Sequence, residues 1–354
     1  MTTKLYKIML LFLWLPVALN AGNNDGRTYD KTKTLKKEYS VNSNALVDLE
    51  NKFGDVNIMT WNESRVVIEV NIVVSGNDEA KVEQRINGID VNFQGSQSAV
   101  SAKTKIDKLS GWGRNNSIHY KINYLVKMPV TNTLEVTNDY GAIYINELKG
   151  KAIVNCDYGN VFIGDLQHRN NEINIDYCNG SSIRSMQGGE INADYSKFTL
   201  TQAETIKLVS DYSASVFERV NDLNYTSDYG SLRVGSSDIV VGTADYLPVK
   251  FGKINKRLQV KADYGSISVE SVGDAFESVD IESEFCAIKL GVPNQAFNFS
   301  LNLEYSGFHY GGGQYKFNQK IEKSTSKFYE GYHKSSNNKA AIKITSSYGS
   351  VSFK

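Results

Sequence analysis

From Thr131 onward, apolar and polar residues alternate in short runs, and the runs themselves recur. Val136, Val154, Ile173, Ile191, Leu208, Val260, Ile281, Leu301 and Ile344 each stand four residues before an aromatic residue. Pairs such as Ile143 and Ile145, Val161 and Ile163, Phe198 and Leu200, Ile267 and Val269, and Ile288 and Leu290 stand three and five residues after one. The positions between are mostly Asn, Thr, Lys and Ser. This period of two predicts β-strands with one buried face.

The aromatic residue marking each recurrence sits in a fixed phrase: an acidic residue, then Tyr, then usually a small residue. It occurs at Tyr140, Tyr158, Tyr177, Tyr195, Tyr212, Tyr229, Tyr246 and Tyr264, preceded by Asp139, Asp157, Asp176, Asp194, Asp211, Asp228, Asp245 and Asp263. Weaker copies follow at Phe285, Tyr305 and Tyr348, preceded by Glu284, Glu304 and Ser347. Successive aromatics are 17 to 21 residues apart, except for a gap of 43 before Tyr348. A period this short means that one unit cannot bury its own apolar face and must stack on its neighbours. The expected fold is therefore all-β: a single-chain parallel β-solenoid of ~18-residue turns. Strict alternation points the Tyr rings inward, and the small residues two positions earlier (Cys156, Ala193, Ser210, Ser227, Ala244, Ala262, Ser283, Ser346) leave room for them.

Upstream, residues 38–130 read as a β-rich N-terminal cap domain with one short helix. Ser64–Val74 is a strand, and Asp78–Asn87 is a helix with Asn77 or Asp78 as its cap. Further strands lie at 89–93, 99–105 and 118–128, with a turn-rich loop presenting Trp112. Val47–Ile58 anticipates the later phrase, with Phe53 in the Tyr place and Lys52 in the acidic place, and reads as a turn outside the main array. An insertion at 308–340, rich in Gly, Lys, Ser and aromatics, precedes the last unit and is expected to fold over it as a C-terminal cap.

Residues 1–21, with Lys4, Lys7 and an apolar run from Ile8 to Ala18, read as a cleavable signal peptide, too short for a membrane span. Residues 22–37 are polar and read as a flexible lead-in. The chain carries 39 basic and 39 acidic residues, so no basic excess suggests nucleic acid. The apolar face holds too many small and polar residues to face lipid as a barrel. Export permits disulfides, but Cys178 and Cys286 fall six turns apart and Cys156 is out of phase, so three free packing thiols are expected.

The phrase Phe53-Gly54-Asp55-Val56 with Trp61, the strand-helix-strand that follows and the serial Asp-Tyr-Gly turns resemble the adhesin-like β-strand-repeat proteins exported by Gram-negative bacteria. That family is of unknown function and is similar to autotransporter adhesin head domains. The resemblance implies a β-solenoid at the cell envelope and no reaction.

Candidate chemistry centres on the acidic column. Its carboxylates either accept backbone N–H bonds at the corners they open, or bind Ca²⁺ along the column, or act in pairs as in carbohydrate-active enzymes of β-helical fold. The Gly-Gly-x-Gly-x-Asp repeat of calcium-binding β-rolls is absent. The ladder of Tyr140, Tyr158, Tyr177, Tyr195, Tyr212, Tyr229, Tyr246, Tyr264, Phe285, Tyr305 and Tyr348 is expected to be structural, with Trp112, Tyr315, Tyr329 and Tyr332 as outward contacts. His119, His168, His309 and His333 are scattered without metal-ligand spacing. The sequence thus points to an exported, non-enzymatic scaffold for a surface ligand, a glycan or an envelope protein. A carbohydrate-active enzyme or a calcium-stabilised rod is the alternative.

Overall fold

The computed structural model describes residues 29–108 and 118–354. The signal peptide expected at 1–21 and the loop carrying Trp112 lie outside the described residues. The fold is all-β, with 24 strands joined by hydrogen bonds into one large open sheet and a single helix among the described residues.

At the N-terminal end, β1 (Tyr29–Ser40) runs antiparallel to β4 (Arg65–Gly76), which runs antiparallel to β7 (His119–Pro129). Residues 29–37, expected as a flexible lead-in, are therefore strand. Their polar composition hides the fact that β4 satisfies their backbone, while Leu35 and Tyr39 supply the apolar contacts. Helix α1 (Glu79–Asn87) begins at Asp78, whose carboxylate accepts the Lys81 N–H at 3.2 Å, and buries Val82 and Ile86, one turn apart on the same face.

The repeats stack through parallel ladders. β8 (Thr133–Asp139), β10 (Ala152–Asp157), β12 (Asn171–Asp176) and the last six residues of β13 (Asn179–Asp194) pair successively in parallel. The next in line is β14, which covers Lys197–Asp245. The register brings Val136, Val154, Ile173, Ile191 and Leu208 side by side, all buried, one aliphatic row perpendicular to the strands. A second row runs through Ile145, Ile163, Ile183 and Leu200 on β9 (Ala142–Leu148), β11 (Asn160–Leu166), β13 and β14. Adding one repeat thus extends both rows, which is how units too small to hold a core acquire one.

The stack begins earlier than the spacing predicts. β2 (Leu46–Lys52) pairs in parallel with β8, and β3 (Val56–Trp61) with β9, placing Lys52 against Asp139. The Phe53 phrase is the first member of the array rather than an outlier. β6 (Ala99–Ile106) and β7 cover its other side.

At the C-terminal end, sequence order and spatial order part. β23 (Ala341–Ser347) pairs in parallel both with β17 (Ser278–Glu284) and with β19 (Phe297–Glu304). β24 (Ser350–Phe353) does the same between β18 (Ala287–Leu290) and β20 (Gly307–Tyr310). The last repeat of the chain is therefore interleaved between its two predecessors. The insertion covers not the last repeat but the one before it: β22 (Ser326–His333) runs antiparallel to β19, and β21 (Tyr315–Glu322) runs antiparallel to β22. Phe297, Phe299, Phe308, Phe317, Tyr329 and Phe353 fill the space beneath this hairpin.

Candidate functional site: an exposed aromatic column

Every aromatic residue of the repeated phrase, from Phe53 to Tyr348, has φ between 47° and 63°, the left-handed region that side-chain-bearing residues rarely adopt. The backbone is pinned there by a cross-repeat hydrogen bond. Tyr140 N–H donates to Asp157 O at 2.9 Å, Tyr158 to Asp176 O at 3.0 Å, Tyr195 to Asp211 O at 3.0 Å and Tyr348 to Glu304 O at 2.9 Å.

A single left-handed residue breaks the inward-outward alternation. The acidic residue and the aromatic one both face out, and the residue after the aromatic turns in: Cys178, Ser196, Ser213, Leu247, Cys286 and Ser306 are buried. The rings expected inside the core therefore lie on the surface, between 36% and 58% exposed. Counting parity through the corner as continuous β-structure produced the wrong side. The available signal was the small residue that follows every Tyr of the phrase except Tyr246. A Cβ on Gly159 would stand 2.0 Å from Gly141 O, and one on Gly265 2.2 Å from Leu247 O.

The inward residues also bond. Ser196 Oγ accepts the Cys178 N–H at 2.9 Å and donates to Asp194 O at 2.7 Å, and Ser213 Oγ accepts the Ser196 N–H at 2.9 Å. The Cys286 thiol takes the same role, accepting the Gly265 N–H at 3.2 Å. This explains Ser or Cys at the position. All three cysteines are buried with free thiols, and burial pushes the Cys286 thiol up.

On the surface the rings form one column in the order Phe53, Tyr140, Tyr158, Tyr177, Tyr195, Tyr212, Tyr229, Tyr246, Tyr264, Phe285, Tyr348, Tyr305. Adjacent centroids are 4.7–5.1 Å apart and adjacent planes within 9° of parallel. Tyr120 closes the Phe53 end edge-on at 5.2 Å. Within the column each ring's faces are covered by its neighbours, so what meets solvent is ring edge and hydroxyl. A sugar ring stacks on an open face, and the interior of this column offers none.

Beside it runs the acidic column, in register from Lys52 through Asp139, Asp157, Asp176, Asp194 and Asp211. It resumes through Asp245, Asp263, Glu284, Ser347 and Glu304. Lys52 Nζ meets Asp139 Oδ2 at 2.9 Å, and this hydrogen bond holds the lysine's pKa above its ordinary value. Further along, partial burial and then repulsion from the flanking aspartates raise the carboxyls of Asp157, Asp194 and Asp228. Asp263 Oδ1 accepts the Glu284 N–H at 3.1 Å, so this carboxylate bonds to the next repeat rather than within its own corner. Asp176 Oδ1 and Asp211 Oδ1 are buried without a hydrogen-bond partner. Among the described residues no three His, Cys, Asp or Glu side chains converge as a metal ion requires. Single file at one carboxylate per repeat does not build the cage of oxygens expected for Ca²⁺ along Asp139 to Asp263.

The other singled-out residues lie apart. Tyr329 is buried and its hydroxyl donates to Glu322 at 2.6 Å, and Tyr315 packs on Phe297 and Phe299, so these two serve the C-terminal end rather than outward contact. His333 is buried against Gln295 O, and the four histidines do not meet. A groove of about 590 Å³ lies away from the column, lined by Gln167, Arg169, Gln202 and Glu204 among others. No described helix is long and apolar enough to cross a membrane.

No protein-family model matches the chain, and no curated protein matches it at a significant level. The chain is similar to solved structures assigned as adhesins from Parabacteroides distasonis (10% identity, TM-score 0.36, 73% of this chain and 93% of that one) and Parabacteroides merdae (12%, TM-score 0.33, 73% and 92%). It is also similar to one assigned as a lipid-binding protein from Parabacteroides distasonis (9%, TM-score 0.29, 91% and 96%).

Proposed function

We propose that the repeats coil as a single-chain parallel β-solenoid and that the protein is an exported, non-enzymatic scaffold, binding a surface ligand or mediating adhesion through its aromatic column. The observation carrying this reading is that twelve aromatic residues are held outward in a backbone conformation that costs each of the non-glycine residues about 1–2 kcal/mol. Burial offsets that cost only in part, because the rings keep 36–58% of their surface exposed. Stacking returns only about 0.5–1.5 kcal/mol per pair. Strain retained along one contiguous surface marks that surface as the working one. The column's carboxylates stand on that surface in single file, one per repeat, a regular array that suits display.

The experiment compares binding of the full chain and of a Tyr177→Asn, Tyr195→Asn, Tyr212→Asn variant to intact bacterial envelopes and to a surface-glycan array. Asn tolerates the left-handed conformation, so the variant keeps its backbone while losing the rings. Loss of binding by the variant with retained circular dichroism is the expected result. Equal binding by both, or release of reducing ends from any glycan, overturns the reading.

A further inference from the structure

We propose that the partner of the aromatic column is an extended polypeptide segment rich in arginine and lysine, an inference that rests on the scaffold reading above. The column is an unpartnered strip whose charge is one-sided. Ten carboxylates lie along it, and among the described residues the ion pair it contains is Lys52 with Asp139, at its N-terminal end. The rows immediately flanking the rings, three positions before and two after, add Lys197 and Lys261 but also Glu50, Glu282 and Asp55, the last paired with Lys121 at 2.7 Å. Among the described residues 35 are basic and 38 acidic, so with ten of the acids gathered here the remaining faces carry a basic excess. An array of like charges beside aromatic walls focuses the field on a cation approaching along it.

Ring geometry selects among cationic partners. Covered faces exclude sugar stacking along the interior of the column. They leave a rail of phenol edges and hydroxyls beside carboxylates repeating at ~4.8 Å. A guanidinium presents a planar fork of donors that bonds carboxylates strongly. Same-face side chains of an extended peptide recur at ~6.6 Å, which does not divide into ~4.8 Å, so the strip reads charge density and not a residue-by-residue code. From Asp139 to Glu304 the acidic column is ten steps long, about 48 Å, the reach of about 15 extended residues. Partial burial is the larger cause of the upward displacement of the Asp157, Asp194 and Asp228 carboxyls, and the second, repulsion from the neighbouring aspartates, agrees with a surface short of counter-charge.

The probes are fluorescently labelled peptides of alternating Arg and Ser, 8, 16 and 24 residues long, with a Glu-Ser 16-mer and a chitosan oligomer as controls, measured by anisotropy on the full chain. Affinity is expected to rise from the 8-mer to the 16-mer and then level, and to fall about tenfold or more between low and physiological salt. An Asp176→Asn, Asp211→Asn, Asp245→Asn variant is expected to lose at least tenfold while melting no lower than the parent, because the substitutions remove repulsion. Equal binding of the Glu-Ser peptide, stronger binding of chitosan, or full binding by the Asn variant overturns the inference. If the tyrosine variant loses envelope binding while the Asp→Asn variant keeps it, the scaffold reading stands and only the cationic partner falls. If neither variant loses binding, both fall.

Discussion

Between Leu134 and Val272, each repeat lies beside the one before and the one after it, whereas between Phe297 and Phe353 the chain adds a repeat, covers it with an antiparallel hairpin and then returns to insert its last repeat underneath. The same ladders serve both regions. Ile191 sits between Ile173 and Leu208, and Ile344 sits between Ile281 and Leu301, all buried. Local pairing is indifferent to how far apart in the chain two repeats are. What distinguishes the end is that an open parallel edge must be covered, and here an antiparallel strand does so.

Deletions should separate the two regions most. Removing residues 196–212 joins Tyr195 to Ser213, which occupies the place of Ser196, so the array closes up with one repeat fewer. Removing 341–354 takes away the strand between β17 and β19, leaving β17 paired only on the side of the preceding repeat and β19 only with β22. The first variant is expected to fold and melt cooperatively, and the second to lose protease protection of residues 297–333. If the truncated chain stays as protected as the full one, the outer repeat has simply closed onto 278–290 and the interleaving is dispensable. Next in size come Ile191→Ala and Ile344→Ala. Each is expected to cost about 2–5 kcal/mol in denaturant unfolding, with the two values similar. A much smaller loss at Ile344 would show the end to be looser than its register suggests.

Why the regular region was legible and the end was not follows from what periodicity encodes. Val136, Val154, Ile173 and Ile191 announced their row through spacing alone, and the register places them together. Spacing encodes likeness, not adjacency, so the 43-residue gap before Tyr348 could not reveal that Tyr348 stacks between Phe285 and Tyr305. The Phe53 phrase, with Lys52 in the acidic place, read as a turn outside the main array, yet Lys52 is the counter-ion of Asp139 within it. The ring orientation was missed because Tyr is not a residue from which left-handed backbone is expected. The information lay in its small neighbours.

Ring substitutions sharpen the comparison at smaller scale. Tyr195 stacks on two neighbours, whereas Tyr305 stacks on Tyr348 alone. Tyr195→Ala forfeits two stacks, about 1–3 kcal/mol together, and keeps the backbone strain. Tyr195→Gly forfeits the same stacks but relieves the strain, recovering about 1 kcal/mol. Tyr305→Gly should therefore be close to neutral. Chemical denaturation of the three variants checks the order, and a Gly variant less stable than Ala at position 195 would refute the account of the corner.

The smallest expected effect is electrostatic, and its sign is opposite to ordinary acid denaturation. Asp194 has its carboxyl raised above 3.8, first by partial burial and then by Asp176 and Asp211. A carboxyl raised on folding binds its proton more tightly in the native state. Its stabilising contribution is thus complete below the unfolded value and is lost as pH rises through the folded one. Asp238, held low by hydrogen bonds from Lys256 and Asn255, pulls the other way, so the melting temperature of the whole chain sums the two. Asp194→Asn isolates the column's share. The variant is expected to melt above the parent at neutral pH and to lose that advantage as pH falls toward 4. At the interleaved end Ser347 separates Glu304 from Glu284, so Glu304→Gln relieves no adjacent repulsion and should leave the melting temperature unchanged at either pH. An Asp194→Asn protein that melts lower at neutral pH would mean that its carboxylate contributes a bond worth more than the repulsion it suffers. The acidic column would then be a stabilising device rather than a strained surface.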